Sequence, residues 1–226
     1  MKGKLIVIEG TDCSGKETQT NLLMKKLESQ NIPIVKFDFP NYSSPTGQII
    51  GGPYLGKEMI GPSWFLEGAV NVNPKVASLY FAADRLYNIS IINEKLNEGK
   101  NVILDRYTYS NMGHQGGKCF KKEERLNMYE WIENLEFGLL NLPVPDICIF
   151  LHLPYEYALI LKSNRKEKPD GHEKSEDHLK NAENAYIEIA NKYNFYTIKC
   201  YDNDNVRTIE DISNDLYNYV IDKLKP

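Results

Sequence analysis

Residues 4–23 constrain the fold more than any other stretch: the apolar run KLIVIE leads straight into GTDCSGK, which is followed by the helical period of ETQTNLL. Gly10 to Lys16 has the spacing G-x-x-x-x-G-K. Between a buried strand and a helix, such a loop gathers backbone N–H groups and a helix N-terminus into a cradle for phosphate, and Lys16 is placed to reach the outer phosphate oxygens. A chain that starts this way builds around a parallel sheet.

The rest of the sequence repeats the strand-then-helix rhythm. Strand runs fall at 4–9, 34–38, 101–105, 147–152 and 195–200, and helical stretches at about 16–30, 74–98, 122–139, 155–167, 174–193 and 207–223. This alternation predicts an α/β fold with a five-stranded parallel sheet and helices on both faces. Its 226 residues fit one domain, 1–226. Each strand run is too apolar for a half-exposed strand, so all five are expected inside. Tyr186, Ile189, Ala190 and Tyr193 form one stripe of a helix and predict core packing. Residues 40–63, with Gly47, Gly51, Gly52, Gly56 and Gly61 among four prolines, should be irregular or only briefly helical. The charged segment 162–178, KSNRKEKPDGHEKSEDH, has the length and composition of a solvated loop or a lid.

Composition narrows the partners. A formal net charge of −4 argues against nucleic acid or an anionic membrane held by bulk electrostatics, so an anionic ligand has to be held by local cations. Only five of the 27 basic residues are arginines, which directs attention to Arg85, Arg106 and Arg165 as planar, forked donors. The four cysteines are widely spaced and predict reduced thiols. The N-terminal apolar run is too short for a signal peptide or a membrane span, and a cytoplasmic location is expected.

Glu17 is the odd residue of the loop. A Ser or Thr that helps to bind Mg²⁺ is usual at this place, and a carboxylate pointing inward would repel phosphate. Three alternatives follow: Glu17 turns outward into the first helical turn, holds the metal through water, or marks a site that has lost catalysis. Thr18 is the nearest hydroxyl, rotated by about 100° around the helix. Further along, ILDRYTYSN ends a strand with Asp105 and Arg106, a pair suited to orienting hydrated Mg²⁺ and clamping phosphate, or to a buried ion pair alone. In ASLYFAADRLYN, Phe81 and Arg85 share a helix face; the spacing fits core packing as well as a base site.

Four motifs, GTDCSGKETQ, FPNYSSPTG, FAADR and DRYTYSNMGHQGGK, resemble the thymidylate kinase family in order and separation, and the resemblance covers essentially the whole chain. It implies a P-loop nucleoside-monophosphate kinase fold with a small lid at about 162–178 and a monophosphate-binding region at about 39–115. It implies transfer of phosphate from ATP, with Mg²⁺, to dTMP. Gly10, Thr11, Asp12, Cys13, Ser14, Gly15, Lys16, Glu17 and Thr18 would bind ATP, and Asp12 would also lie near the sugar hydroxyl and phosphate of the monophosphate. Phe39, Pro40 and Tyr42 would line the monophosphate site, Phe81 would stack on thymine, and Arg85 would bond its carbonyl edge. Asp105 would act on the metal through water, and Arg106 on the phosphates. Tyr107, Ser110, Asn111 and Gln115 would line the base and sugar pocket, with His114 against the sugar 2′ carbon. A homodimer formed through helices is implied, with the apolar helix around 74–92 as a candidate face.

The chain departs from one branch of that family by carrying Cys13 where an arginine stands in the loop. Arg165, with Lys162, Lys166 and Lys168, makes it similar to the type whose basic residues lie in the lid, and Asp170 and Glu173 would cap the following helix. Rival readings are a kinase for another monophosphate such as dUMP, a deoxynucleoside kinase with Glu9 or Asp12 as base, and a silent nucleotide-binding regulator. The retention of Lys16, Asp105, Arg106 and Arg85 together favours an active enzyme.

Overall fold

The computed structural model describes residues 2–163, 175–202 and 205–225, the side chains of 162 and 163 excepted. β1 (Leu5–Gly10), β2 (Ile34–Asp38), β3 (Asn101–Asp105), β4 (Ile147–His152) and β5 (Tyr196–Lys199) form one sheet in the order β2-β3-β1-β4-β5, all neighbours parallel. β1 is the central strand. Its residues alternate between two cores: Leu5 and Val7 pack on one face with Val102 and Leu104, while Ile6 and Ile8 pack on the other with Ile103 and Ile149. A strand buried on both faces reads as one continuous apolar run.

The helices divide between these faces. α3 (Pro74–Asn97), α4 (Thr108–Gly116), α5 (Lys122–Glu133) and α7 (Glu176–Lys192) supply Ile92, Met112, Ile132 and Ile189 to the first core. α1 (Lys16–Ser29), α6 (Tyr155–Ser163) and α8 (Ile209–Leu224) supply Leu23, Leu27, Ala158 and Leu216 to the second. The short helix α2 (Pro45–Ile49) runs into a widened π-helical turn at Ile50–Tyr54, so the glycine-rich segment is briefly helical as expected. A second such turn, Asn134–Leu139, continues α5.

Three expectations need correction. The strands are not all inside: β2 and β5 are the sheet edges, and their side chains are largely half-buried or exposed. Apolar composition does not separate an edge strand from a central one, because an edge lacks one neighbour whatever its residues. α4 and the small antiparallel pair β6 (Tyr201–Asp202) and β7 (Asn205–Val206) are absent from the sequence reading. The cap of α7 is Ser175, whose hydroxyl accepts from His178 N at 3.2 Å. Asp170 and Glu173, proposed for that role, lie outside the described residues.

Candidate active site

The phosphate loop owes its shape to its backbone. Cys13 (φ 61°) and Gly15 (φ 75°) are both left-handed, and such turns direct successive N–H groups towards one point. Gly10 has no space for a side chain, since a Cβ there would meet Ser14 Oγ at 2.5 Å. Thr11 anchors the loop: its Oγ1 donates to Leu153 O at 2.7 Å and accepts from Leu153 N at 3.1 Å. Ser14 Oγ is buried and has no partner among the described residues.

Lys16 forms an ion pair with Asp105 at the end of β3. Burial, and next the charge of Arg106, hold the Lys16 ammonium below its ordinary pKa against the pull of Asp105. Glu17 and Thr18 are exposed in the first turn of α1, and Glu17 reaches the cavity rim. That placement fits the first alternative for Glu17, a charge set against the positive end of the helix.

Arg106 leaves the strand in a left-handed conformation (φ 68°), with its N–H bonded to Ile8 O at 3.1 Å. Its Nη2 donates to Asp12 Oδ1 at 2.8 Å, and its Nη1 donates to Tyr186 Oη at 3.0 Å. Nη1 also lies 3.3 Å from Ser110 Oγ and from His114 Nε2. Tyr186 Oη donates onward to Ser110 Oγ at 2.9 Å, which in turn donates to Glu9 Oε2. The other oxygen of Glu9 accepts from Tyr107 N at 2.8 Å and Ser110 N at 3.0 Å. Glu9 is therefore the terminal acceptor of the chain and caps α4, a helix with no side-chain cap of its own. Burial raises the pKa of the Glu9 carboxyl, opposed most by its Ser110 hydrogen bond.

Tyr186 reaches Arg106 because α4 is bare where α7 crosses it. A Cβ at Gly113 would lie 2.8 Å from the Tyr186 ring. The sequence reading of Tyr186 as core holds for the ring, which packs with Phe150 and Ala190, and misses the hydroxyl.

The same cavity is lined by Phe81 on α3, which meets Tyr54 edge-on with ring centroids 5.8 Å apart. Arg85, one turn later, is buried, with both Nε and Nη2 bonded to Glu136. Phe39, Pro40 and Tyr42 form another part of the cavity wall. This wall is held by Asp84, whose Oδ2 accepts from Asn41 N at 2.8 Å and whose Oδ1 accepts from Thr46 Oγ1 at 2.7 Å. The cavity has a volume of about 630 Å³, and Asp12, Lys16, Asp105, Ser110, Asn111 and His114 also line it.

His114 stacks on His178 with ring centroids 5.6 Å apart. Burial, then the charges of Arg106 and His178, hold it well below the usual imidazole pKa, so it is neutral. Gln115 is not on the cavity wall; it is fully buried, and both its amide atoms lack partners among the described residues. Arg165, Lys166, Lys168 and the side chain of Lys162 lie outside the described residues.

Sequence reasoning did not place Asp84 and Glu136 in this site, took Tyr186 as core, and weighed Glu9 only as the base of a rival reading. Each acts by holding another residue, and only Glu9, next to the phosphate loop, carried a local signal.

The sequence model of the thymidylate kinase family matches residues 8–211. The chain is 35% identical over 180 residues to the thymidylate kinase of Schizosaccharomyces pombe, covering 80% of this chain and 75% of that one. It is 32% identical to the thymidylate kinase of Plasmodium falciparum, covering 95% and 88%. Among solved structures, the thymidylate kinase of Candida albicans superposes with a TM-score of 0.76 at 28% identity, covering 98% of this chain and 92% of that one. With the phosphate loop, the Asp105–Arg106 turn and the Phe81–Arg85 helix meeting in one cavity of this fold, the chain belongs to the thymidylate kinase family.

Proposed function

We propose that this protein transfers the γ-phosphoryl group of ATP to the 5′-phosphate of dTMP, giving dTDP and ADP. The observation that carries the reading is that one cavity is lined both by Lys16, Asp105 and Arg106 and by Phe81 and Arg85. The loop N–H groups and Lys16 would hold the donor phosphates, Arg106 the acceptor phosphate, Phe81 the base by stacking, and Arg85 its carbonyl. Asp12, paired with Arg106, would meet the sugar hydroxyl, as the family resemblance implies. The acceptor oxygen is ionised, so in-line transfer depends on alignment and charge neutralisation and needs no strong base. Glu9 is fully buried and bonded at both oxygens, which weighs against the deoxynucleoside kinase reading.

Mg²⁺ belongs to this reading. The described residues contain no cluster of three metal-ligating side chains. In this reading the ion would be taken mainly by nucleotide oxygens and water, with Asp105 and a first-turn residue, Glu17 or Thr18, beside it. Bound there, the ion would neutralise charge on the transferring phosphate. From the family resemblance, Arg165 is expected to meet the charge that develops during transfer. Two further parts are a homodimer, suited by Val76, Leu79, Leu86, Tyr87 and Ile91 exposed along α3, and a cytoplasmic location, which the four free cysteines suit. No helix among the described residues is long and apolar enough to cross a membrane.

The test is a coupled ADP-release assay with ATP and Mg²⁺ across dTMP, dUMP, UMP, CMP, dGMP and thymidine. Preferred turnover of dTMP, abolished in Lys16→Ala with the fold intact, is the expected result. Preference for another acceptor, or near-normal kcat in Lys16→Ala, would overturn the assignment.

A further inference from the structure

The phosphate loop is gripped from behind at a single residue. Thr11 Oγ1 donates to Leu153 O at 2.7 Å and accepts from Leu153 N at 3.1 Å, so the loop follows the junction between β4 and α6. The two residues of that junction, Leu153 and Pro154, carry one N–H between them, and Thr11 takes it.

A carboxylate from α7 spans the junction. Glu183 Oε1 lies 2.7 Å from Nε2 of His152, the last residue of β4, and Glu183 Oε2 accepts at 2.9 Å from N of Tyr155, the first residue of α6. An ionised carboxylate only accepts, so His152 Nε2 carries the proton. The His152 ring is held for this bond: it stacks on Phe150 with ring centroids 5.4 Å apart and meets Tyr201 edge-on at 5.6 Å. Tyr155 N is one of the first-turn donors with no partner inside its own helix, so the same carboxylate caps α6.

One turn further along α7, Tyr186 Oη accepts from Arg106 Nη1 at 3.0 Å. Two side chains three residues apart on one helix therefore fasten the root of the phosphate loop and the arginine beside it. Thr11, Asp12, Tyr155, Glu183 and Tyr186 line one small cavity of about 10 Å³, roughly the space of a single water, so loop, junction and helix meet directly. Glu183 does not line the nucleotide cavity.

We propose that Glu183 is a positioning residue for phosphoryl transfer: by bridging His152 and Tyr155 it holds the phosphate loop, through Leu153 and Thr11, in register with the Arg106 that α7 also fixes. The inference rests on the reading of the loop as the donor site and of Arg106 as the clamp on the acceptor phosphate.

Replacements sort by whether they can bridge. Glu183→Gln keeps the length: its carbonyl accepts from Tyr155 N, and its NH₂ faces His152 Nε2, which accepts once the imidazole proton moves to Nδ1. Glu183→Leu keeps the bulk and bridges nothing. Glu183→Asp keeps the charge and is one methylene too short to hold both donors.

The experiment combines calorimetric titration of the full chain with Mg·ATP alone and steady-state kinetics with Mg·ATP and dTMP, with circular dichroism to verify folding. For Glu183→Leu, the Kd for ATP should rise about fivefold or more and kcat fall about tenfold or more, as a small displacement of the loop entails, while the KM for dTMP stays within about twofold. Glu183→Gln should keep both Kd and kcat within about threefold of the wild type. Thr11→Val supplies the comparison that a merely structural role would not pass, because it cuts the loop from Leu153. In that background Glu183→Leu should change the Kd for ATP by no more than about twofold, the path being already broken, whereas a general loosening of the fold would add its full effect. Glu183→Asp, expected to lower kcat about 3–10-fold, takes the place of Glu183→Leu in both comparisons if the latter does not fold. Wild-type Kd and kcat in Glu183→Leu, equal losses in Glu183→Gln and Glu183→Leu, or additive losses with Thr11→Val would overturn the inference alone. A wild-type protein that binds ATP and phosphorylates no monophosphate would overturn the reading beneath it, and the ATP titrations would still decide whether Glu183 acts on the loop.

Discussion

Arg85 is one half of a buried ion pair and, in the proposed function, a donor to the base, and its replacement would disturb both. Arg85→Ala should raise the KM for dTMP and spare that for ATP. It should also destabilise the fold by about 3–5 kcal/mol, because Glu136 is left as an unpaired buried charge; urea denaturation measures this separately from the kinetics. His114 gives a pH signature. Its folded pKa lies well below the unfolded value of about 6.5, so between the two the unfolded chain binds the extra proton. Stability should therefore decline as pH falls below about 6.5, and His114→Gln should show a shallower decline in urea midpoints between pH 7.5 and 5. A slope equal to that of the wild type would remove His114 from this role. Lys16, Asp105, Arg106, Phe81 and Arg85 were legible because phosphate and base chemistry restricts residue type and spacing. The holding roles of Glu9, Tyr186 and Glu136 were not, since they act on residues 98, 80 and 51 positions away, and spacing along the chain does not report such pairs.

At the scale of elements, α4 shows why a helix can escape sequence reading. TYSNMGHQG has two glycines and polar residues where an apolar stripe would be sought, and its cap is Glu9 on β1. Glu9→Ala should cost about 1–3 kcal/mol for each backbone donor it leaves buried and unpaired, and kcat should fall with it because the Arg106 turn loses its anchor. Chemical denaturation and the ADP-release assay follow the two effects; unchanged values for both would show that the cap is dispensable. The loop between the first widened turn and α3 has a comparable fastening. Lys118 Nζ donates to Tyr54 Oη, Ala69 O and Val72 O at 3.2, 2.8 and 3.1 Å. Lys118→Met should loosen that segment and raise its amide hydrogen exchange well before global unfolding. Protection equal to the wild type would assign the fastening to other contacts. Glycine and proline content predicted the irregularity of this region but not the fastening, which depends on a lysine 49 residues from Ala69.

At the scale of the molecule, the sheet places the phosphate loop and the Asp105–Arg106 turn side by side at the carboxyl ends of β1 and β3. That much was readable, because five buried-type runs alternating with helices admit few other arrangements. Strand order and the identity of the edges were not, since pairing is decided between segments and not within them. The exposed apolar row on α3 belongs to this scale as well. Leu79→Glu with Leu86→Glu should convert a dimer into a monomer, as read by light scattering at micromolar concentration; an unchanged mass would exclude that face.

The partners of Arg106 come from residues 12, 110, 114 and 186. Protein synthesis delivers them in that order, so the guanidinium has its full set of partners only after Tyr186 has been made. A nascent chain arrested before Tyr186 would carry the phosphate loop, Lys16 and Asp105 without the hydroxyl that aligns Arg106, and would meet nucleotides before it could align them for transfer.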